Sequence, residues 1–251
     1  MTNILLVGCL GKMGKMVTEV ANQSNYTKIV AGIDMLPSTD GVFPIFKSIK
    51  DCTVAFDVII DFSRPESLED LLSYSKENTK PLVLCTTGYT KEQTDLILET
   101  SKTAPIFRSG NMSVGINVIN NILKNISSFL YGDYDIEIIE KHHNQKVDAP
   151  SGTALLLGDT IRDAIKSETE YCFGREGNHK REEKEIGVHA IRGGTIIGEH
   201  EVIFAGNNEV IELKHTALSR EVFASGAIKA AAYMKTKTVG LFNMDDVINN
   251  R

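Results

Sequence analysis

The segment most suited to chemistry runs from Glu140 to Thr153 and reads EKHHNQKVDAPSGT. It contains two adjacent histidines, His142 and His143, then Lys146, and finally Ser151-Gly152-Thr153, which has the composition of a helix start. A histidine can donate a proton, a lysine can neutralise an anion, and the backbone N–H groups of a helix start can bind a carboxylate. The segment would therefore suit a dicarboxylate substrate.

Each of these residues also has an ordinary structural explanation. A histidine pair often lies at the surface or supports a strand, Lys146 could be solvated, and Ser151 could serve only as a helix cap. A metal site is disfavoured, because adjacent histidines point apart and no pair of carboxylates follows at helical spacing. We therefore predict that the protein holds no metal.

A second chemical signature lies near the N-terminus, where Gly8, Gly11 and Gly14 follow an apolar run with the spacing G-x-x-G-x-x-G. Between a strand and a helix, such glycines permit a tight turn, close approach to a pyrophosphate and close packing of the helix. A glycine turn that serves packing alone is the alternative. Asp34 favours dinucleotide binding, because a carboxylate ~20 residues further on, at the end of the next strand, can bind a ribose hydroxyl.

The order of apolar patterns predicts an α/β protein with two domains. Residues 3–102 alternate short β-rich runs with helical periodicity, which is typical of a Rossmann-like, doubly wound parallel sheet. From Ser113 onward a long helix is followed mainly by strands, which predicts a smaller α+β domain with an open, mostly antiparallel sheet. We predict a dinucleotide-binding domain of residues 1–112 and 216–251 and a second domain of residues 113–215.

Composition excludes several classes of protein. The 251 residues include 27 Lys and Arg against 33 Asp and Glu, and this net charge of −6 disfavours a nucleic-acid-binding protein. No apolar run approaches the ~20 residues that span a bilayer, and the first residues do not resemble a secretion signal. The four cysteines lie far apart, without a C-x-x-C pair. We expect a cytoplasmic protein with reduced thiols that binds neither nucleic acid nor membrane, and a solvated charged loop at residues 175–185.

The stretch E-x-H-H-x-x-K-x-D-A-P-S-G-T-A, from Glu140 to Ala154, closely resembles the signature of the dihydrodipicolinate reductase (4-hydroxy-tetrahydrodipicolinate reductase) family. Further similar motifs cover nearly the whole chain in order: the glycine motif, Asp61-Phe62-Ser63-Arg64-Pro65-Glu66, Thr86-Thr87-Gly88, Asn111-Met112-Ser113-Val114-Gly115, Arg192-Gly193-Gly194, Gly198-Glu199-His200 and residues 219–227. The resemblance implies NAD(P)H-dependent reduction of a cyclic imine dicarboxylate to tetrahydrodipicolinate, in the diaminopimelate branch of lysine biosynthesis. It also implies that residues 113–215 bind substrate and carry the contacts of a homotetramer.

The resemblance further implies roles for individual residues. His142 would be the proton donor and Lys146 its partner in substrate binding and protonation. His143, Ser151, Gly152 and Thr153 would hold the substrate carboxylates. The cofactor would be bound by a larger set, which comprises Gly8, Gly11, Lys12, Met13, Gly14, Asp34, Phe62, Arg64, Thr86, Thr87, Gly88, Asn111, Met112 and Ser113. His200 and His215 are interpreted as structural strand residues.

NADH and NADPH are both expected to act as the hydride donor, with a preference for NADH. Asp34 would repel a 2′-phosphate, and Met35 stands where the family often has a basic residue. Lys12 is placed to reach such a phosphate and to preserve some activity with NADPH.

Two other functions stay open on the sequence. A nucleotide-sensing protein without turnover would keep the glycine motif but is expected to lack an intact proton-donor segment. A homoserine or aspartate-semialdehyde type dehydrogenase would share only the first domain. Loss of reduced-cofactor absorbance on adding the freshly made hydroxy precursor distinguishes all three.

Overall fold

The computed structural model describes residues 1–39 and 41–250, and the chain divides into two compact units. Unit 1 comprises Met1–Val114 and Arg220–Arg251, and unit 2 comprises Gly115–Ser219. The predicted domains of residues 1–112 with 216–251, and of residues 113–215, have bounds close to these. Their separate functions stay a prediction.

The helices and strands of the described residues, in chain order, are β1 (Thr2–Val7), α1 (Lys12–Gln23), β2 (Thr27–Ile33), β3 (Ile45–Phe46), β4 (Val58–Asp61), α2 (Leu68–Asn78), β5 (Leu82–Leu84), α3 (Lys91–Ser101), β6 (Pro105–Arg108), α4 (Val114–Leu130), β7 (Asp135–His142), α5 (Gly152–Ile165), β8 (Glu170–Phe173), β9 (Glu185–Arg192), β10 (Gly198–Ala205), β11 (Val210–Ala217), α6 (Glu221–Met234), β12 (Gly240–Phe242) and α7 (Met244–Asn249). Short 3-10 turns precede β4 at Ile49–Asp51 and α2 at Pro65–Ser67.

Unit 1 is built on a parallel sheet that, in the described part of the chain, has seven strands in the order β12-β6-β5-β4-β1-β2-β3. The residues of β1 alternate between two cores, because successive side chains of a strand point to opposite faces. Ile4 and Leu6 pack with α1 and α6, whereas Leu5 and Val7 pack with α2 and α3. The predicted Rossmann-like sheet is confirmed, and the carboxyl ends of β1, β4 and β5 lie at one edge of it.

Unit 2 contains a five-stranded sheet in the order β11-β10-β7-β9-β8 within the described residues. One face packs against α4 and α5 through an apolar core that includes Leu123, Ile138, Leu157, Ile161 and Phe204. The predicted α+β class is confirmed, but the sheet is mixed rather than mostly antiparallel. β10 pairs antiparallel with β7 and β11, whereas β9 pairs parallel with β7 and β8. The parallel pairing arises because the chain leaves β7 through α5 and returns in the same direction.

The charged loop between β8 and β9 is attached to the sheet more firmly than a solvated loop would be. The Arg181 guanidinium donates to Asp135 at 2.8 Å, to Glu137 at 3.3 Å and to the Glu185 carbonyl at 2.5 Å. Arg175 forms a further ion pair with Glu185 at 2.8 Å. Among the residues that the structure describes, none of the helices combines the length and the apolar character needed to cross a membrane.

Candidate active site

Glu140 is the centre of a buried hydrogen-bond network in unit 2. Its carboxylate is fully buried near the end of β7. Oε2 lies 2.5 Å from His142 Nδ1 and 2.8 Å from Arg192 NH1. Oε1 accepts from Arg192 NH2 at 2.8 Å and from the Ser151 N–H at 3.0 Å. The contact with Arg192 is bidentate, the geometry in which an arginine binds a carboxylate most strongly.

These contacts keep Glu140 ionised. Burial by itself raises the pKa of the Glu140 carboxyl, but hydrogen bonds from Arg192, His142 and the Ser151 N–H outweigh burial and lower this pKa below its ordinary value. An ionised carboxylate only accepts hydrogen bonds, so His142 Nδ1 carries the hydrogen. Nε2 makes no hydrogen bond with any described residue and is the ring nitrogen left for a substrate.

The ring of His142 is neutral at neutral pH in this structure. Burial lowers its pKa; Glu140 acts in the opposite direction, and the positive charges of Lys146 and Arg192 lower the pKa further. Gly198, at the start of β10, keeps the ring unobstructed, because a Cβ at that position would lie 3.2 Å from His142 Nε2. Additional negative charge nearby, which a dicarboxylate would bring, would raise the pKa of His142.

The start of α5 is organised by Ser151, its N-cap residue. The Ser151 hydroxyl accepts from the Ala154 N–H at 3.2 Å and lies 2.9 Å from His200 Nε2. Since its N–H binds Glu140, the polar atoms of Ser151 are used inside the protein. Gly152 is exposed and Thr153 half-buried, and the first turn of α5 contains no acidic side chain. The backbone N–H groups of such a turn favour an anion.

Lys146 lies in the loop after β7, where Nζ donates to Asp148 at 2.8 Å. Asp148 is exposed, and the hydrogen bond from Lys146 lowers the pKa of its carboxyl. Arg192 also donates to the Asp148 carbonyl at 2.6 Å, which attaches this loop to β9. An incoming carboxylate can replace Asp148 as the partner of Lys146. His143 is half-buried in the same loop.

In unit 1 the glycine loop follows β1 in a conformation that requires glycine. Gly8 has a φ of +76°, and a Cβ there would lie 2.6 Å from the Phe62 carbonyl oxygen. A Cβ on Gly14 would lie 2.2 Å from the Gly8 carbonyl oxygen. Gly11 is the N-cap of α1 and has no side-chain cap. The first N–H groups of α1 are thus suited to a pyrophosphate, as the glycine spacing predicts.

Asp34, at the end of β2, has a structural role that its position in the sequence does not reveal. Its carboxylate accepts from the Leu10 N–H and from the Met35 N–H, each at 2.8 Å. The contact with Leu10 holds the glycine loop against β2, and each oxygen keeps a lone pair for a ribose hydroxyl. Met35 and Lys12 are exposed. These residues fit a nicotinamide dinucleotide.

Asp61 was not among the predicted site residues, yet it joins the two strand ends that precede the predicted nicotinamide contacts. The side chain is fully buried and accepts from the Ser63 N–H at 2.9 Å, the Thr86 hydroxyl at 2.8 Å and the Tyr89 hydroxyl at 3.4 Å. Burial raises the pKa of Asp61 despite these hydrogen bonds. The Thr86 hydroxyl thus binds inside the protein, whereas Thr87 and Gly88 are exposed.

The other predicted cofactor residues divide between surface and core. Arg64 is exposed, Phe62 and Met13 are half-buried against the core that includes α6, and Met112 is buried in that core. Asn111 accepts from the Ser113 N–H at 2.7 Å. Among the described residues, no group of three or more His, Cys, Asp or Glu side chains is arranged to hold a metal.

Two family models cover the chain. The model "Dihydrodipicolinate reductase, N-terminus" matches residues 2–112, and "Dihydrodipicolinate reductase, C-terminus" matches residues 115–248. The chain belongs to the dihydrodipicolinate reductase family. The predicted family, its oxidoreductase class and its use of a nicotinamide dinucleotide are thereby confirmed. The match over residues 115–248 sets aside a homoserine or aspartate-semialdehyde type dehydrogenase, for which only the first domain is shared.

Relatives in this family cover the chain from end to end. The 4-hydroxy-tetrahydrodipicolinate reductase of Clostridium novyi is 63% identical and covers 100% of both chains. That of Clostridium tetani is 59% identical and covers 100% of this chain and 98% of its own. The fold is shared with a dipicolinate-bound dihydrodipicolinate reductase from Paenisporosarcina sp. TG-14, with a TM-score of 0.81, 22% identity and 97% coverage of each chain.

Proposed function

We propose that this chain catalyses the reaction for which its relatives are named. The chain would reduce the cyclic imine dicarboxylate formed from 4-hydroxy-tetrahydrodipicolinate to tetrahydrodipicolinate, with hydride supplied by a reduced nicotinamide cofactor. The observation that carries this proposal is the buried Glu140–His142 pair, with Nε2 unengaged, in the same unit as Lys146 and the α5 start. A proton donor and two kinds of carboxylate partner are what such a substrate requires.

In unit 1, the glycine loop and Asp34 would bind the cofactor, which supplies the hydride when bound. In unit 2, Lys146 would exchange Asp148 for one substrate carboxylate, and the N–H groups of Gly152 and Thr153 would bind the other, with His143 beside them. Ser151 contributes by holding this helix start in place.

Proton transfer would occur at His142 Nε2. The two substrate carboxylates raise the pKa of His142, so that the ring binds a proton as the substrate binds. As hydride adds to one end of the conjugated imine, electron density moves to the other end. Nε2 donates its proton there, and the ring returns to the neutral form with hydrogen on Nδ1.

We further propose a preference for NADH. Asp34 has free lone pairs for ribose hydroxyls, its negative charge disfavours a 2′-phosphate, and the adjacent Met35 offers neither charge nor donor. The exposed amine of Lys12 would sustain a weaker, salt-sensitive use of NADPH.

We also propose a homotetramer in the cytoplasm, with its contacts in residues 113–215. The sheet face opposite α4 and α5 carries charged side chains in alternating positions, among them Lys141, Glu199 and Lys214, which pair with one another across strands. Light scattering that gives the mass of a single chain would contradict the tetramer.

The proposed reaction is tested by following the absorbance of NADH while the hydroxy precursor is added. His142→Gln should lower kcat by ~10²–10⁴-fold and leave the KM for NADH nearly unchanged, since general acid catalysis typically contributes that much. His179→Gln, in the exposed loop between β8 and β9, is the matched control. An active His142→Gln enzyme would refute the assignment of the acid, and an inactive wild-type protein would refute the reaction.

A further inference from the structure

β7 carries two carboxylate–histidine pairs, on opposite faces of the strand. On the core face, Glu140 Oε2 lies 2.5 Å from His142 Nδ1. On the other face, Glu137 Oε2 lies 2.7 Å from His189 Nε2. Each glutamate also binds an arginine. The pairs differ in burial, since the side chain of Glu140 is 0% exposed and that of Glu137 is 22% exposed.

Four hydrogen bonds fix the carboxylate of the buried pair. A carboxylate offers about four acceptor positions, and Glu140 uses them for Arg192 twice, for the Ser151 N–H and for His142. Rotation of the carboxylate would break several of these bonds at once, in a place that water does not reach. The histidine ring is thereby held in one orientation, with hydrogen on Nδ1.

The same carboxylate also sets the start of α5. Ser151 donates its N–H to Glu140 Oε1 and caps α5 with its hydroxyl. His200 Nε2 lies 2.9 Å from the same hydroxyl oxygen. One buried anion therefore holds both the ring that faces the substrate and the helix start that would bind a substrate carboxylate.

We propose that Glu140 is a positioning residue for the reduction. It keeps Nε2 of His142 directed to the substrate and stabilises the imidazolium in every turnover, while Arg192 keeps the carboxylate ionised and in place. This inference rests on the proposed role of His142 as proton donor. Arg192 is needed for this role, because a buried carboxylate without a compensating charge would take up a proton and no longer accept the hydrogen bond from His142 Nδ1.

Glu140→Gln places an amide opposite the ring and removes the charge that stabilises the imidazolium. The amide N–H₂ then faces Arg192 or Nδ1 as a donor, which favours the other tautomer of the ring. We expect kcat at about pH 7.5 to fall by ~10²–10⁴-fold, as when an orienting carboxylate is replaced by its amide in other enzymes. The alkaline limb of the kcat profile should move to lower pH, because the imidazolium loses its counter-charge. The KM for NADH should not change.

Glu137→Gln is the matched control, since it alters a carboxylate–histidine pair on the same strand but on the opposite face. Its kcat and pH profile should stay within about twofold of wild type, because Glu137 binds His189 and Arg181 and not His142 or Ser151. A double-mutant cycle gives a second test: in a His142→Gln background, Glu140→Gln should cause little further loss, because residues that act as a unit are not additive.

One measurement does not depend on whether Glu140→Gln folds. Two-dimensional ¹H–¹⁵N spectra of the histidine rings in the wild-type protein, with His142 assigned by its absence in His142→Gln, report which nitrogen carries hydrogen. Hydrogen on Nδ1 is expected, and hydrogen on Nε2 in the neutral ring would overturn the proposal. An inactive His142→Gln enzyme combined with an unchanged kcat and pH profile in folded Glu140→Gln would overturn it as well. Activity in His142→Gln would instead refute the proposed function.

Discussion

His200 should make the folded protein lose stability as the pH falls below about 6.5. The ring is buried on the core face of β10, 2.9 Å from the Ser151 hydroxyl. Burial lowers the pKa of His200 to about 4, against an ordinary value of 6.5. Between these values the unfolded chain binds a proton at this residue and the folded protein does not. The stabilisation is therefore complete above pH 6.5 and is lost as the pH falls towards 4.

The groups around His200 do not change the sign of this effect. The rings of His142 and His215 and the ammonium of Lys146 lower the pKa of His200, and Glu140 alone acts in the opposite direction. The pKa difference corresponds to ~3 kcal/mol over the whole range, of which roughly 1 kcal/mol is lost between about pH 7.5 and about pH 5.5. For a protein of ordinary stability, the loss between these two pH values is a large fraction of the free energy of unfolding.

Urea unfolding followed by circular dichroism, at one protein concentration and at both pH values, measures this contribution. His200→Gln should lose roughly 1 kcal/mol less than wild type over this interval. His179→Gln, in the exposed loop, should lose as much as wild type. His142 and His215, whose pKa values burial also lowers, are present in all three proteins. Equal losses in wild type and His200→Gln would refute the reasoning.

Three further outcomes are expected. Gly14→Ala should abolish NADH binding, measured by nicotinamide fluorescence, because the added Cβ would lie 2.2 Å from a carbonyl oxygen of the same loop. The Gly41→Ala protein should bind NADH normally, because the nearest atom to that Cβ would be 3.5 Å away. Lys146→Ala should lower kcat/KM for the substrate by roughly 10- to 100-fold, as expected when a charged hydrogen bond is lost, and unchanged steady-state kinetics would contradict its role. The kcat/KM for NADH should exceed that for NADPH, and Met35→Arg should narrow this difference at low salt by adding a cation beside Asp34. A strong NADPH preference that persists at high salt would contradict the proposed preference for NADH.

Local sequence was sufficient for much of unit 1. The continuous apolar runs of β1 and β4 indicate strands that are buried on both faces, and every residue of these two strands except Asn3 is buried. Thr90 and Gln93 form the capping box at the start of α3. The glycine spacing also predicted the turn after β1. These features are decided by neighbouring residues, so a short window of sequence contains the necessary information.

Other elements needed the whole fold. β3 and β12 are two and three residues long, too short to show a periodic pattern, and they exist because an adjacent strand supplies their hydrogen bonds. The mixed pairing in unit 2 likewise depends on where the chain returns after α5, which apolar alternation does not specify. A sheet that is covered by helices on one face has the same alternation whether its strands run parallel or antiparallel.

The sequence by itself predicted which residues of the candidate site carry chemistry, and the tertiary structure decided how these residues are held. His142, Lys146 and the Ser151 helix start lie within one short segment and share a motif. Arg192, however, is 52 residues from Glu140, and His200 is 49 residues from Ser151. Register across β7, β9 and β10 brings these pairs together. Burial then makes their hydrogen bonds obligatory, because a polar group without a partner is costly only where water is excluded.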